Sequence, residues 1–281
     1  MHQPTRLDDE TLRTAADLRL VVTDMDGTLL DADGQVPESL WPLLDVMADR
    51  DITFCPASGR QRATLERSFA RTGRPLTCIA DNGTVLAHDG QVIATTPVDP
   101  SVVTTVVERV RDLTARGADL GVVVCQADDA LVERSDEAFM TQVGIYYAHH
   151  QVVDDLLADP GQAVKVAVLD FGCAETGVHP HLRDLEERYA VTVSGQHWVD
   201  VMDAGATKGA ALATLQQRLG IGSHQTVVFG DYLNDLTLMD HADMSFAMAN
   251  AHDDLVSAAR FVAPSHTDHG VVTTLTRLLG V

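Results

Sequence analysis

Leu18-Arg19-Leu20-Val21-Val22-Thr23 runs straight into Asp24-Met25-Asp26-Gly27-Thr28-Leu29-Leu30. The first six residues form a nearly continuous run of β-formers, which reads as a strand buried on both faces. Strands of that kind belong to parallel sheets covered by helices. In such sheets ligands bind beyond the carboxyl ends of the strands, where Asp24 and Asp26 stand. Two other short pairs, Asp31-Ala32-Asp33 and Asp49-Arg50-Asp51, lack a preceding strand and read as solvated loop charges.

Outward from this junction, strands and helices alternate. Residues 37–50 carry Leu40, Leu43, Leu44 and Met47 at helical spacing, with Pro37 suited to the first turn. Residues 52–56 and 77–80 read as strands, and 62–71 as the helix between them. From Lys208 the same alternation resumes: a helix at 208–219, a strand at 226–230, a helix at 233–240, a strand at 244–247 and a helix at 271–278. The middle is different. Residues 84–87 and 92–95 flank His88-Asp89-Gly90, a hairpin signal. A helix at 100–116, strands at 120–125 and 164–169, a helix at 179–189 and a strand pair (191–194 and 197–202) around Gly195-Gln196 follow. Residues 130–158 carry no single periodicity. The expectation is an α/β protein with a parallel-sheet, Rossmann-like core interrupted by an inserted α+β cap domain. Turn residues at Asp81-Asn82-Gly83 and Ser194-Gly195 place the core at 1–83 and 196–281 and the cap at 84–195.

Composition narrows the function. The 281 residues include 20 Lys plus Arg against 41 Asp plus Glu, a formal charge of −21. That excess argues against binding nucleic acid, which needs clustered cations, and against docking on anionic lipid. A protein this acidic needs a local device, such as a metal ion or a helix N-terminus, to hold an anion. Apolar runs are too short to span a membrane. The N-terminal MHQPTRLDDETLRTAADLRL is polar and has no apolar leader segment, so a cytoplasmic protein is expected. Cys55, Cys78, Cys125 and Cys173 are scattered without a C-x-x-C pair, as free thiols in a reducing compartment would be.

Three further polar clusters stand at strand ends or helix starts. Ala57-Ser58-Gly59-Arg60 follows a strand, and a hydroxyl with a Gly amide there suits a phosphate, although Ser58 also suits an ordinary N-cap. Lys208 opens a helix, where a cation opposes the helix dipole, and such local conflicts point to function. Gly230-Asp231-Tyr232-Leu233-Asn234-Asp235 puts Asp231 at a strand end, with Asn234 and Asp235 within one turn. Acidic residues there can serve as caps, and the spacing also suits a hard cation such as Mg²⁺.

Taken jointly, these clusters resemble the motifs of the haloacid dehalogenase superfamily of phosphatases. DMDGTLL matches its first motif, ASGR the second, Lys208 in TKGAAL the third and GDYLND the fourth. Asp81-Asn82-Gly83, AMANA at 247–251 and Asp268-His269-Gly270-Val271 resemble its Cof-type subfamily, whose cap is inserted after the second motif. The likeness covers nearly the whole chain. The cap matches by position only, and Tyr232 stands where a small residue is common.

The resemblance implies roles. Asp24 would be the nucleophile that forms an aspartyl-phosphate, and Asp26 the acid and then the base. Mg²⁺ would be held by Asp24, Asp231 and the Asp26 carbonyl. Met25, Ser58, Gly59, Lys208 and Asn234 would bind the phosphoryl oxygens. Thr28 would fix Asp26, and Asp235 would orient Lys208. The implied activity is Mg²⁺-dependent hydrolysis of a small phosphorylated metabolite, with sugar phosphates the family's usual substrates. A phosphomutase or phosphotransferase would share every motif, and a catalytically silent phosphometabolite sensor would not need both Asp24 and Asp26. A D-x-D glycosyltransferase leaves Ser58, Lys208 and Asp231 without a role, and an ion pump needs membrane spans. Specificity would lie in the cap, where Arg134, Tyr146, Tyr147, His149 and His150 are the candidates.

Overall fold

The strand expected at 18–23 is β1 (Leu20–Thr23) in the computed structural model, which describes residues 17–281. The expected leaderless N-terminal stretch lies mostly on residues 1–16, outside the described residues. All four residues of β1 are buried. The chain continues through α1 (Leu40–Asp49), β2 (Thr53–Pro56), α2 (Arg62–Phe69), β3 (Cys78–Ala80), β4 (Val85–His88) and β5 (Gln91–Thr95). It then forms α3 (Pro100–Ala115), β6 (Leu120–Cys125), β7 (Ala130–Val132), α4 (Glu137–Tyr146), β8 (Gln151–Val152), β9 (Lys165–Asp170), β10 (Tyr189–Val193) and β11 (Trp198–Asp203). The last stretch is α5 (Lys208–Leu219), β12 (Thr226–Gly230), α6 (Leu236–Met239), β13 (Met244–Met248), α7 (Asp253–Ala258), β14 (Phe261–Ala263) and α8 (Gly270–Leu279).

The core sheet has five parallel strands in the order β14-β13-β12-β1-β2. The chain leaves β1 for β2 on one side and returns as β12 on the other. The loops after β1 and β12 therefore part from neighbouring strands in opposite directions and open a crevice between them. Asp24 and Asp231 stand at its two lips.

The second sheet has six strands in the order β10-β11-β9-β6-β7-β8. One face, with Val122, Val124, Val166, Val168, Val199 and Val201, packs on the valines of α3. The other carries Ala167, Leu169 and Trp198, packed with Phe139, Val143 and Tyr147. This alternation is the period-two pattern of a strand buried on both faces.

Both expected boundaries move. Residues 84–95 were expected to open the cap, but β4 and β5 form an antiparallel hairpin on β3. β3 in turn lies beside the core through the Ala57–Ile79 bridge. Leu86 packs with Ile79 and Leu212, both on the core side. At the other end, residues 196–203 were assigned to the core. Instead β11 pairs antiparallel with both β10 and β9 in the second sheet. A boundary at Gly195 would divide the two strands of a hairpin, which the ladder hydrogen bonds hold together.

The helix expected at 179–189 is replaced by two short 3₁₀ turns, at His179–His181 and Arg183–Glu187. Leu182 and Leu185, three residues apart, fit the three-residue period of those turns. The stretch without periodicity, 130–158, holds β7, α4 and β8. Among the described residues no helix is long and apolar enough to cross a membrane. All four cysteines are free, and three of them are buried.

Candidate active site

Asp24 leaves β1 still anchored to the sheet, because its N–H donates to the Phe229 carbonyl at 3.0 Å. The chain then makes one wide turn closed by the Leu30 N–H on the Met25 carbonyl at 2.9 Å. Gly27 takes φ +78° inside it. A Cβ on Gly27 would stand 2.3 Å from Asp231 Oδ2. The glycine is thus required twice, for its left-handed backbone and for the space its missing side chain leaves to the Asp231 carboxylate.

Lys208 explains its own awkward position. Its Nζ donates to Asp24 Oδ1 at 2.5 Å and to Asp235 Oδ1 at 2.6 Å, and the residue is only 1% exposed. Thr207 caps α5 in front of it, accepting from the Ala210 N–H. Asp235 Oδ2 accepts from the Asp231 and Tyr232 N–H groups at 3.1 and 3.3 Å, so both Asp235 oxygens are engaged by the protein itself.

Carboxylate oxygens of Asp24, Asp231 and Asp235 lie within 4.8 Å of one another. Three carboxylates and one ammonium leave a formal charge of 1 − 3 = −2 in this largely buried cluster. Burial pushes the Asp24 carboxyl well above its ordinary range; Lys208 opposes that, while Asp235 and Asp231 add to it. Burial also raises Asp231, against the Thr28 hydrogen bond that lowers it. Burial alone would lower Lys208, but the Asp235 and Asp24 carboxylates outweigh it and hold the ammonium above its usual value. A hard divalent cation fits this donor set and would cancel the surplus charge. Asp24 and Asp231 each keep an oxygen that no protein donor takes, whereas Asp235 does not.

Ser58 lines the same cleft and is 1% exposed. It is not the N-cap of α2; Gln61 holds that position. The Ser58 hydroxyl accepts from the Arg60 N–H at 3.2 Å. Gly59 and Asn234 line the cleft too, and the Asn234 amide donates to Asn82 Oδ1 at 3.1 Å. The Met25 side chain is buried in the core, so it offers the site only its backbone.

Thr28, expected to fix Asp26, does not hold it; its hydroxyl donates instead to Asp231 Oδ1 at 2.9 Å. Asp26 is turned outward to a forked pair with Arg60, at 2.9 Å from Nε and 2.5 Å from Nη2. Of the cap candidates, Tyr146 and Tyr147 line the cleft. Arg134 lies elsewhere, paired with Asp119 and Asp136 and stacked over Phe171. His149 meets Gln61 through its backbone and His150 bonds the Tyr147 carbonyl; neither ring faces the cleft.

Sequence reasoning singled out the cluster containing Arg60 without giving that residue a role, and it missed Lys165, Ser194, Trp198 and Asp200; all five line the cleft as well. Lys165 is fully buried, with Nζ 2.7 Å from Asp81 Oδ1 and 3.1 Å from the Gly59 carbonyl. The available signal was a charge set inside an apolar strand, Val164-Lys165-Val166 and Val199-Asp200-Val201. Charged residues are rarely buried unless paired, so each asks for a partner.

A family model described as haloacid dehalogenase-like hydrolase matches residues 21–275. The chain is 28% identical over 269 residues to the 5-amino-6-(5-phospho-D-ribitylamino)uracil phosphatase YbjI of Escherichia coli (strain K12), covering 93% of this chain and 96% of that protein. Among solved structures, a haloacid dehalogenase-like hydrolase from Bacteroides thetaiotaomicron superposes with a TM-score of 0.81 at 20% identity, covering 93% of this chain and 99% of that one. TM0651 from Thermotoga maritima gives 0.80 at 23% identity, with 92% and 97% covered. These likenesses show the same fold.

Proposed function

Because the chain belongs to the haloacid dehalogenase-like hydrolases and is a phosphoric monoester hydrolase of that family, we propose that it hydrolyses a small phosphorylated metabolite through a phosphoryl group carried on Asp24. The observation that supports this most is the Asp24 carboxylate itself. It is buried at a strand end, fixed by Lys208 at 2.5 Å, and one of its oxygens remains free.

In the first step an Asp24 oxygen bonds to phosphorus as the ester P–O bond breaks, and Asp26 delivers a proton to the departing alkoxide. In the second, Asp26 takes a proton from water, whose oxygen bonds to phosphorus as the Asp24–phosphorus bond breaks. Phosphate is released and Asp24 is restored. Asp26 must leave Arg60 and turn inward for either proton transfer, since its forked pair occupies both carboxylate oxygens. Lys208, Ser58, the Gly59 and Met25 amides and Asn234 bind the phosphoryl oxygens, and such fixed donors are usually the largest catalytic contribution. Asp235 positions Lys208. Asp24, Asp231 and the Asp26 carbonyl would hold Mg²⁺, which when bound supplies charge neutralisation and a clamp on the phosphate.

The Escherichia coli relative is named for a phosphorylated ribityl compound. A sugar or polyol phosphate is accordingly our substrate class, with neither nucleic acid nor membrane as partner given the charge of −21. Four free thiols suit the reducing cytoplasm. The test is phosphate release across a panel of phosphorylated metabolites, with acid-quench trapping of the phosphoenzyme. Activity should vanish in EDTA and return with Mg²⁺. Turnover by Asp24→Asn at the wild-type rate, or full turnover after exhaustive chelation, would overturn the mechanism.

A further inference from the structure

The aromatic residues are distributed unevenly. The chain has 4 Tyr and 2 Trp, and three of these tyrosines and one tryptophan line the catalytic cleft. Trp198 is the hub. Tyr146 meets it edge-on at 5.7 Å and Tyr147 at 6.1 Å. Trp198 and Asp200 are two residues apart on β11, so they share the sheet face that looks toward the core, while Val199 and Val201 face α3.

Asp200 is an unusual residue for that face. It is 4% exposed and stands opposite Ala167 in the ladder. The neighbouring cation, Lys165, sits on the same face two residues before Ala167, yet its Nζ is 3.8 Å from Asp200, beyond hydrogen-bond reach. That ammonium spends its short contacts on Asp81 and the Gly59 carbonyl. Ser194 supplies one hydroxyl beside Asp200. A carboxylate has about four lone-pair sites, so most of them stay open toward the cleft. Burial raises the Asp200 pKa, against Lys165 and the Ser194 hydroxyl, which lower it. The trio Lys165, Asp81 and Asp200 carries a formal 1 − 2 = −1.

We propose that Asp200 and Trp198 form the subsite for the leaving group, Asp200 accepting a hydrogen bond from a hydroxyl or N–H and Trp198, with Tyr146, packing on a flat ring face. The proposal rests on the phosphatase reading and names its substrate class. The leaving group is uncharged, carries at least one donor and has a flat face. The surplus negative charge of this trio, Asp81 from the core and Lys165 and Asp200 from the cap, disfavours a second anionic group, so selectivity comes from repulsion as well as contact. Sugar rings and nitrogen heterocycles share this chemistry.

The experiment measures kcat/KM of the wild type, Asp200→Asn and Asp200→Ala on four esters. D-glucose 6-phosphate and uridine 5′-monophosphate carry donors on a ring, p-nitrophenyl phosphate has a ring without a donor, and fructose 1,6-bisphosphate has a second anion. Using p-nitrophenyl phosphate as the denominator corrects each variant for folded fraction. The ratio for the better of the two donor-bearing esters should fall about tenfold or more, further for Ala than for Asn, as for a lost hydrogen bond to a charged group. Fructose 1,6-bisphosphate carries hydroxyl donors too, so its kcat/KM relative to that of D-glucose 6-phosphate should rise, which structural damage alone would not produce. The arm that loses more identifies a sugar or a heterocycle as the source. Both ratios staying within about twofold of wild type in both variants would overturn the subsite while leaving the phosphatase reading intact. Absence of phosphate release by the wild type from every ester would overturn that reading, and this proposal with it.

Discussion

Replacing Lys208 by Met keeps most of the side-chain volume and removes the ammonium. The lysine is 1% exposed and makes two short charge-assisted bonds, 2.5 Å to Asp24 and 2.6 Å to Asp235. Above the raised pKa of Asp24 the cluster without Lys208 holds three carboxylates and no cation, a formal −3 in place of −2. Removing one partner of a buried ion pair costs about 3–5 kcal/mol, because the remaining charge is left unpaired out of water. For a chain of this size each kcal/mol moves Tm by roughly 2–4 °C, so a fall on the order of 10 °C is expected in EDTA. Two further measurements tie that fall to charge. Adding Mg²⁺ should narrow the gap, since the ion binds the folded cluster and stabilises it by mass action. Adding Asp235→Asn should recover part of the loss in the Lys208→Met background, although Asp235→Asn alone destabilises. The assay is thermal unfolding of the four proteins of that cycle, with and without Mg²⁺. A Lys208→Met protein melting within about 2 °C of wild type in EDTA would refute the reasoning. So would simple addition of the two single losses, because residues sharing one ion-pair network should couple.

Asp26→Asn should slow phosphoenzyme formation strongly for a sugar phosphate and far less for p-nitrophenyl phosphate, whose leaving group needs no proton; general acid catalysis supplies about 10²–10⁴-fold. Rapid-quench kinetics would show a p-nitrophenol burst, and equal losses with no burst would remove Asp26 from that role. Gly27→Ala puts a Cβ 2.3 Å from Asp231 Oδ2 at a φ of +78°. It should lower Tm and weaken Mg²⁺ binding together, and unchanged calorimetric Mg²⁺ affinity would separate Gly27 from the cation site. In EDTA the raised pKa of Asp24 means the folded chain keeps a proton that the unfolded chain has lost. That contribution is full below the unfolded pKa and disappears as pH rises through the folded one, so stability declines over that window. The decline should be shallower in Asp24→Asn, and equal slopes in the two proteins would contradict it.

The strands and the acidic cluster around Lys208 were legible for different reasons. β1 and β12 were readable because a strand buried on both faces must be almost wholly apolar, and the polar residues that follow it mark where the sheet ends. Lys208 was readable as a conflict with the helix dipole, and its two carboxylate partners resolve that conflict. The domain boundaries were not readable in the same way. The turns at Asp89-Gly90 and Gly195-Gln196 are hairpin signals, and a hairpin signal states that two strands pair but not which sheet receives them. β4–β5 went to the core and β10–β11 to the second sheet, a choice made by the burial of Leu86 against Leu212 and of Val199 and Val201 against α3. Thr28 shows the same limit at the scale of one bond. It is two residues from Asp26, yet its hydroxyl reaches Asp231, 203 residues away, because the glycine between the first pair turns the chain. Lys165 and Asp200 lie further along this scale. Period-two alternation places both on one face of the six-stranded sheet, but nothing local says that this face meets Asp81 and Gly59 of the other layer. A charge inside an apolar strand is therefore best read as an unanswered demand for a partner. Here Asp81 answers it for Lys165 at 2.7 Å, and Asp200, left 3.8 Å from the same ammonium, remains open to a donor from the cleft.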